Sequence, residues 1–338
     1  MATASGGDYQ KGKERVVMER RGSNRGKRMR KWMVIFSLIL IGAAAIFGVF
    51  FRGSSADWSR MTVVLASDPV TVASWDRTTN TLILVSLPSD TVIDGTHGYG
   101  QYSLDALWKL GSIDRKEGVL FSESIEELLG TPVPYYFKRP ELLGEKDARV
   151  LVGETFALST IPSFFTGKYI SNMPFFSFFS FAWAAAKIPP QNIRTIDLSQ
   201  GEILMEQSIP DGSTIHVVDK DRLDQKIGSF FEDERIRKEG YTVAVFNTTQ
   251  SPSLGNRVSR LLTHLGVRVV AVGNDSPELS RCTVTGGKKE LSSVTASSIV
   301  RMYDCAKNVV EDSSKRADLA LRIGMSYQSR FLIFPVKK

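Results

Sequence analysis

Ser89, Asp90 and Thr91 stand side by side in "VSLPSDTV", residues 85–92, where an apolar run stops at a proline. A strand end that presents a carboxylate between two hydroxyls has three readings. It is a working active-site corner, the remains of one, or a turn in which Asp90 caps the backbone after Pro88. Other chemistries find less in the chain. No G-x-S-x-G surrounds Ser89, so a hydrolase triad has little support. His97, His216 and His264 lie far apart without ligand spacing, and two cysteines cannot build a cysteine-rich zinc centre.

Charge settles the next exclusion. The 338 residues carry a net charge of +7. Residues 1–31 hold ten basic side chains against three acidic ones, so this stretch carries the whole excess and the remainder sums to zero. A globally basic surface for nucleic acid is not supported. Directly after Lys31 comes "WMVIFSLILIGAAAIFGVFF", residues 32–51, with no charge before Arg52. At ~1.5 Å per residue it makes roughly 30 Å of helix, the thickness of a bilayer's hydrocarbon core. The basic cluster belongs on the cytoplasmic side by the positive-inside rule, which places the bulk of the chain outside the cytoplasm. A cleavable signal peptide is the rival, with "SSA" at 54–56 as its small residues. The long preceding tail and the length of the apolar run favour an uncleaved single-pass anchor in the cell membrane. Outside the cytoplasm Cys282 and Cys305 could pair, or they remain two buried thiols.

The elements that must position the Ser89-Asp90-Thr91 corner are legible as patterns. "TVVLAS", "VTVASW" and "TLILVSL" are β-rich runs, and "DRTTN" is a turn between the last two. "YSLDALWKLG" and "SESIEELLG" switch to helical spacing, the second with Ser122 or Ser124 as N-cap and Gly130 at its end. "VPYYFK" returns to strand. Residues 174–186, "PFFSFFSFAWAAA", are too few to span a bilayer and read as a helix buried all round. In a sharper reading Phe175, Phe178 and Phe179 wall a pocket for a lipid chain. "STIHVVD" is a strand, and residues 220–240 read as one charged amphipathic helix. From residue 241 "YTVAVFN", "NRVSRLLTHLG" and "VRVVAVGN" give strand, helix and strand, which favours a parallel crossover. No phosphate-binding glycine motif opens that unit. A helix from about Ser292 to Val310 containing Cys305 and a strand in "ADLALRIG" complete it.

The chain is therefore expected to be α/β (α+β). A disordered basic tail (1–31) and one transmembrane helix (32–51) precede a mixed-sheet α/β domain (57–239) and a small βαβ-type domain (240–330). Taken together, "SLPSDT", "LDALWKLG", "IEELLGTPVPYY" and "VAVFNTTQSPSLGNRVSRLLTHLGVRVVAVGN" resemble the LytR-CpsA-Psr family with its C-terminal LytR-type domain. These are single-pass membrane proteins that attach glycopolymers from a polyprenyl-pyrophosphate carrier to the cell wall. The resemblance implies Mg2+ at Asp68 and Asp90, with Asp90 the catalytic carboxylate. Its partners would be a polyprenyl-linked glycan or lipid, the cell wall and the membrane.

The chain departs from that pattern at its cations. Where the family sets an Arg before the second aspartate this sequence has Ser89, and no Arg follows Asp68 in "DPVTVAS". The basic residue that opens the helix motif is replaced by Ser103, and the later Arg pair falls on the apolar stretch or is missing. A pyrophosphate leaving group is stabilised chiefly by positive charge, and losing one such stabiliser costs ~10² to 10³ in rate. Arg77, Arg115 or Arg139 would have to fill the gap in space, with Arg77 beside Ser89 as ligand-binding candidates. Three functions compete: a degenerate envelope protein that binds polyprenyl-linked or wall glycan without efficient catalysis, an active Mg2+-dependent transferase, and an assembly or regulatory module.

Overall fold

The structure is a computed structural model. It describes residues 29–37, 42, 59–139, 147–200, 202–208, 212, 214–310 and 316–329. The chain divides into two compact units, Met1–Asp57 and Trp58–Lys338. In the first, residues 29–37 form a helix, α1. Most of the expected membrane span, and the basic tail up to residue 28, lie outside the described residues. Among those described, no helix is long and apolar enough to cross a membrane.

The second unit is built on a six-stranded mixed sheet. Strands β1 (Arg60–Leu65), β2 (Val70–Asp76) and β3 (Thr81–Leu87) make an antiparallel meander at its centre. A four-stranded sheet of β4 (Val92–Gly95), β5 (Gly100–Ser103), β9 (Leu204–Ser208) and β10 (Thr214–Val218) lies apart from it. β6 (Tyr135–Lys138) joins the large sheet parallel to β1, β7 (Ile170–Ser171) lies outside β6, and β8 (Ile193–Asp197) runs parallel to β3. The central strands bury both faces, which explains their near-continuous apolar runs. On one face Val64, Val72 and Val85 pack with Leu107 of α2 (Leu104–Ile113) and with Phe121 and Ile125 of α3 (Glu117–Leu129). On the other, Val63, Leu65 and Leu84 meet Leu151 of α4 (Ala148–Thr155) and Phe178 of α6 (Phe175–Ala185). Between them α5 (Ile161–Phe165) forms a single short turn.

Two helices differ from the sequence reading. α3 starts at Glu117, so Ser122 and Ser124 are interior and buried instead of capping, while Gly130 does end it in the left-handed region at φ 62°. The single helix expected over 220–240 is broken into α7 (Lys220–Ile227), a 3-10 turn over Gly228–Phe231 and α8 (Glu234–Glu239). Each of the two α-helices has its own aspartate cap: Asp219 accepts from the backbone of Asp221 and Arg222, and Asp233 from that of Arg235. Local capping outcompetes a continuous amphipathic face here.

A third sheet, ordered β12-β11-β15-β13-β14, has its own core. Its strands are β11 (Thr242–Asn247), β12 (Arg268–Asn274), β13 (Thr283–Gly286), β14 (Ala306–Val309) and β15 (Leu319–Ile323). β11 and β12 are parallel, and α9 (Leu254–His264) crosses between them. The helix expected through Val310 stops earlier: α10 covers Val294–Tyr303, and Asp304 ends it with φ 52°. Cys305 therefore sits outside the helix, and the β-prone residues after it form β14. A final turn, α11 (Met325–Gln328), follows β15. Cys282 and Cys305 are disulfide-bonded and buried in this core. With 23 residues of sequence separation, reduction should cost about 3 kcal/mol in the chain-entropy model. Urea unfolding with and without reductant measures it, and identical midpoints would contradict the assignment.

Charged side chains of α9 join the third core to the face of the large sheet that α3 and α7 cover. Arg260 donates to the main-chain oxygens of Glu127 at 2.6 Å and Leu128 at 2.8 Å, and to Asp224 of α7. His264 Nδ1 lies 3.1 Å from the Leu129 oxygen. The carbonyls left without partners at the end of α3 are thus met by a cation and an imidazole from α9. Gly130 allows this approach, since a Cβ there would stand 2.6 Å from His264 Nδ1.

Candidate functional site

Asp68 lies at the turn between β1 and β2, and Asp90 three residues beyond the end of β3. Adjacent antiparallel strands bring the end of one beside the start of the next, and Val70 pairs with Leu87. The two aspartates therefore meet at one end of the sheet, where they line a cavity of about 610 Å3 with Ser86, Ser89, Thr195 and Ser199. Two further carboxylates, Asp147 and Asp197, line it as well.

Backbone contacts hold the Ser89 corner. The Thr91 amide donates to the Pro88 oxygen at 3.2 Å, and the first amides of α2 reach back to it, Leu104 to the Thr91 oxygen and Asp105 to the Ser89 oxygen, each at 3.0 Å. The corner is thus a backbone turn that also borders a cavity. Asp90 Oδ2 stands 3.3 Å from His216 Nδ1 on β10, both exposed. Asp147 caps α4 through the Arg149 amide at 2.7 Å. Asp197 accepts from the Ser199 amide and hydroxyl, at 2.9 and 2.7 Å, and from Gln200 at 3.1 Å.

No lysine or arginine lines this cavity among the described residues. Arg77 is separated from it. β2 runs from Val70 to Asp76, so Arg77 stands at the far end of a strand roughly 20 Å long. There its guanidinium lies 5.2 Å from the Trp75 ring centroid, and burial lowers its pKa. Arg115 follows the C-terminal end of α2, whereas the Ser89 corner touches the N-terminal end. Arg139 comes nearest by topology. Leu65 pairs with Phe137 in parallel register, so Lys138 and Arg139 leave the sheet at the Asp68 end. Arg139 Nη1 is buried without a hydrogen-bond partner among the described residues. Lys138 lies 4.7 Å over the Trp108 ring, and burial, then Lys109, lowers its pKa. Partial burial pushes the Asp105 carboxyl up, but hydrogen bonds from Ser103 and Lys109 bring it below its ordinary range.

The phenylalanines divide. Phe178 is fully buried, 5.8 Å from Phe137 and 5.4 Å from Phe156 between ring centroids, so it fills the core of the sheet's second face. Phe175 and Phe179 are half-buried, and Phe175 shares Phe164 with Phe178, at 5.7 and 4.9 Å between ring centroids. The structure does not bring these three to one pocket wall.

Among the described residues, no three His, Cys, Asp or Glu side chains are grouped to hold a metal ion. Mg2+ that takes one or two carboxylates and completes its shell with phosphate and water needs no such group. Asp68 and Asp90 fit that lesser requirement. Sequence reading missed Asp147, Asp197 and His216. Asp197 had a usable signal, since "TIDLS" ends a β-run with a carboxylate beside a hydroxyl much as "LPSD" does. His216, in mid-strand, had none.

Residues 240–327 match the family model described as LytR cell envelope-related transcriptional attenuator, about a quarter of the chain. No curated protein matches the chain. Among solved structures it is similar to the Lin1025 protein from Listeria innocua, at 16% identity and a TM-score of 0.39, covering 51% of this chain and 96% of that one. Similarity extends to TagV from Bacillus subtilis, at 12% identity and a TM-score of 0.36, covering 49% and 92%. It extends also to TagT bound to LI-WTA, at 11% identity and a TM-score of 0.38, covering 50% and 88%.

Proposed function

We propose that this chain is a membrane-anchored, extracytoplasmic cell-envelope protein of the LytR-CpsA-Psr type that holds a polyprenyl-linked or wall glycan without efficient transfer. One observation carries the reading: the cavity at the strand ends presents four aspartates and four hydroxyl side chains, and among the described residues no guanidinium or ammonium lines it. Carboxylates accept hydrogen bonds from sugar hydroxyls and repel a pyrophosphate. A cavity of about 610 Å3 falls within the usual range for ligand sites and suits a few sugar rings. The match of residues 240–327 supports the envelope setting. The Cys282–Cys305 bridge supports an oxidising compartment, and the charge-free run at 32–51 supports the anchor.

An active transferase is the second reading, favoured by Asp68 and Asp90 sharing one cavity and by Arg139 leaving the sheet at the same end. In it Mg2+ at the two aspartates would supply the positive charge that the arginines supply in the family pattern. One pair of assays on the full chain separates the readings. Binding of soluble wall-glycan fragments should weaken about tenfold in Asp90→Asn, the loss of one hydrogen bond to a charged group. Incubation with Mg2+ and a polyprenyl-pyrophosphate-linked glycan should yield no transfer. Robust transfer that Asp90→Ala abolishes would overturn the binding-only reading in favour of the second.

A further inference from the structure

Helix α6 has two apolar faces, and the described residues fully bury only one. Phe178, Phe181 and Ala182 are fully buried. The other face carries Phe175, Phe179, Trp183 and Lys187 at four-residue spacing, which places them in one stripe along the helix and just past its end. Their contacts are continuous. Phe165 lies 4.6 Å from Phe175, Phe175 lies 6.3 Å from Phe179, Phe179 stacks on Trp183 at 6.2 Å, and Lys187 Nζ sits 3.9 Å over the Trp183 ring. Phe165 is 67% exposed and Trp183 47%. A run of large aromatic side chains open to solvent marks an interaction surface.

Charge identifies the occupant. From Thr155 to Ile196 the chain contains no Asp or Glu, and its charged residues are Lys168, Lys187 and Arg194. Lys168 and Lys187 are exposed. Aromatic rings in a stripe, a tryptophan beside a lysine, and cations without carboxylates are the chemistry of a lipid headgroup boundary. There rings enter the acyl edge and lysines reach anionic phosphates. We propose that the α5–α6 face lies against an anionic lipid surface, seating Phe165, Phe175, Phe179 and Trp183 at the headgroup boundary. This contact is separate from the anchor at 32–51 and from the aspartate cavity, and it does not depend on glycan binding.

The test uses the full chain reconstituted into vesicles of phosphatidylcholine with phosphatidylglycerol, with ordinary or brominated acyl chains. Emission of the wild type minus that of Trp183→Phe isolates Trp183 from the other tryptophans. Bromination should reduce this difference emission at least about twofold, and less in vesicles of phosphatidylcholine alone. A difference emission unaffected by bromination would overturn the proposal. The exposed pair Lys168→Glu and Lys187→Glu should abolish the extra quenching in anionic vesicles, and undiminished quenching there would overturn the anionic assignment. Concentration-dependent shielding of Trp183 in lipid-free micelles would assign the face to a second copy of the chain instead.

Discussion

Arg260→Ala should destabilise Trp58–Lys338 by about 3 kcal/mol, lowering Tm by roughly 5–10 °C. Arg260 makes four contacts of two kinds. It donates to the Glu127 and Leu128 oxygens, which a helix end cannot satisfy internally, and it pairs with Asp224 through two nitrogens. Truncation leaves both carbonyls and the carboxylate without their partner in a part-buried setting, so the penalty exceeds the value of an exposed ion pair. Arg260→Lys should rescue little, because one ammonium cannot face Asp224 and two carbonyls in the fork geometry of a guanidinium. Calorimetry of the three proteins decides it. A Tm unchanged in Arg260→Ala would mean that α9 is held to α3 by apolar contact alone. Glu127 offers a related readout. Burial raises its pKa, while Arg257 and Arg260 oppose that rise, so it should rise further when Arg260 is removed.

Phe178→Ala and Phe179→Ala, neighbours in sequence, should differ by several kcal/mol. Phe178 is fully buried among Phe137, Phe156 and Phe164, and its truncation leaves a cavity worth about 3–5 kcal/mol. Phe179 is half-buried and stacks on exposed Trp183, so its loss should cost about 1 kcal/mol or less. Denaturant unfolding of the two variants measures this difference. Equal destabilisation would mean that the outer stripe of α6 is packed as firmly as the inner one.

These contrasts mark where periodicity succeeds and where it stops. The runs now seen as β1, β2 and β3 were legible because each is apolar and ends at proline or polar residues. α9 was legible because Val258, Leu261 and Leu262 recur at helical spacing. The break in residues 220–240 was harder. Gly228 and Asp233 mark it, but the amphipathic pattern continues across them. In "PFFSFFSFAWAAA" the apolar pattern could not reveal which face would be covered, since both faces are equally apolar. Arg77 lies away from the cavity for a different reason. Distance along the chain says little about distance in space, and a strand carries its two ends apart.

The sequence by itself determined what depends on neighbouring residues: the confinement of net charge to the first 31 residues, a charge-free run long enough to span a bilayer, most strands and helices, and a separate C-terminal α/β unit. It also placed Asp90 beside Ser89 at the end of an apolar run. Tertiary structure alone decided which groups meet. Strand pairing brought Asp68, Asp90 and Asp197 to one cavity, which the start of α4 reaches with Asp147, and it carried Arg77 to the far end of β2. It also gave Arg260 its partners on α3 and α7 and joined Cys282 to Cys305. The reason is physical. Periodicity and capping act over a few residues and are written locally, whereas convergence of side chains depends on strand order and on where the connecting chain returns.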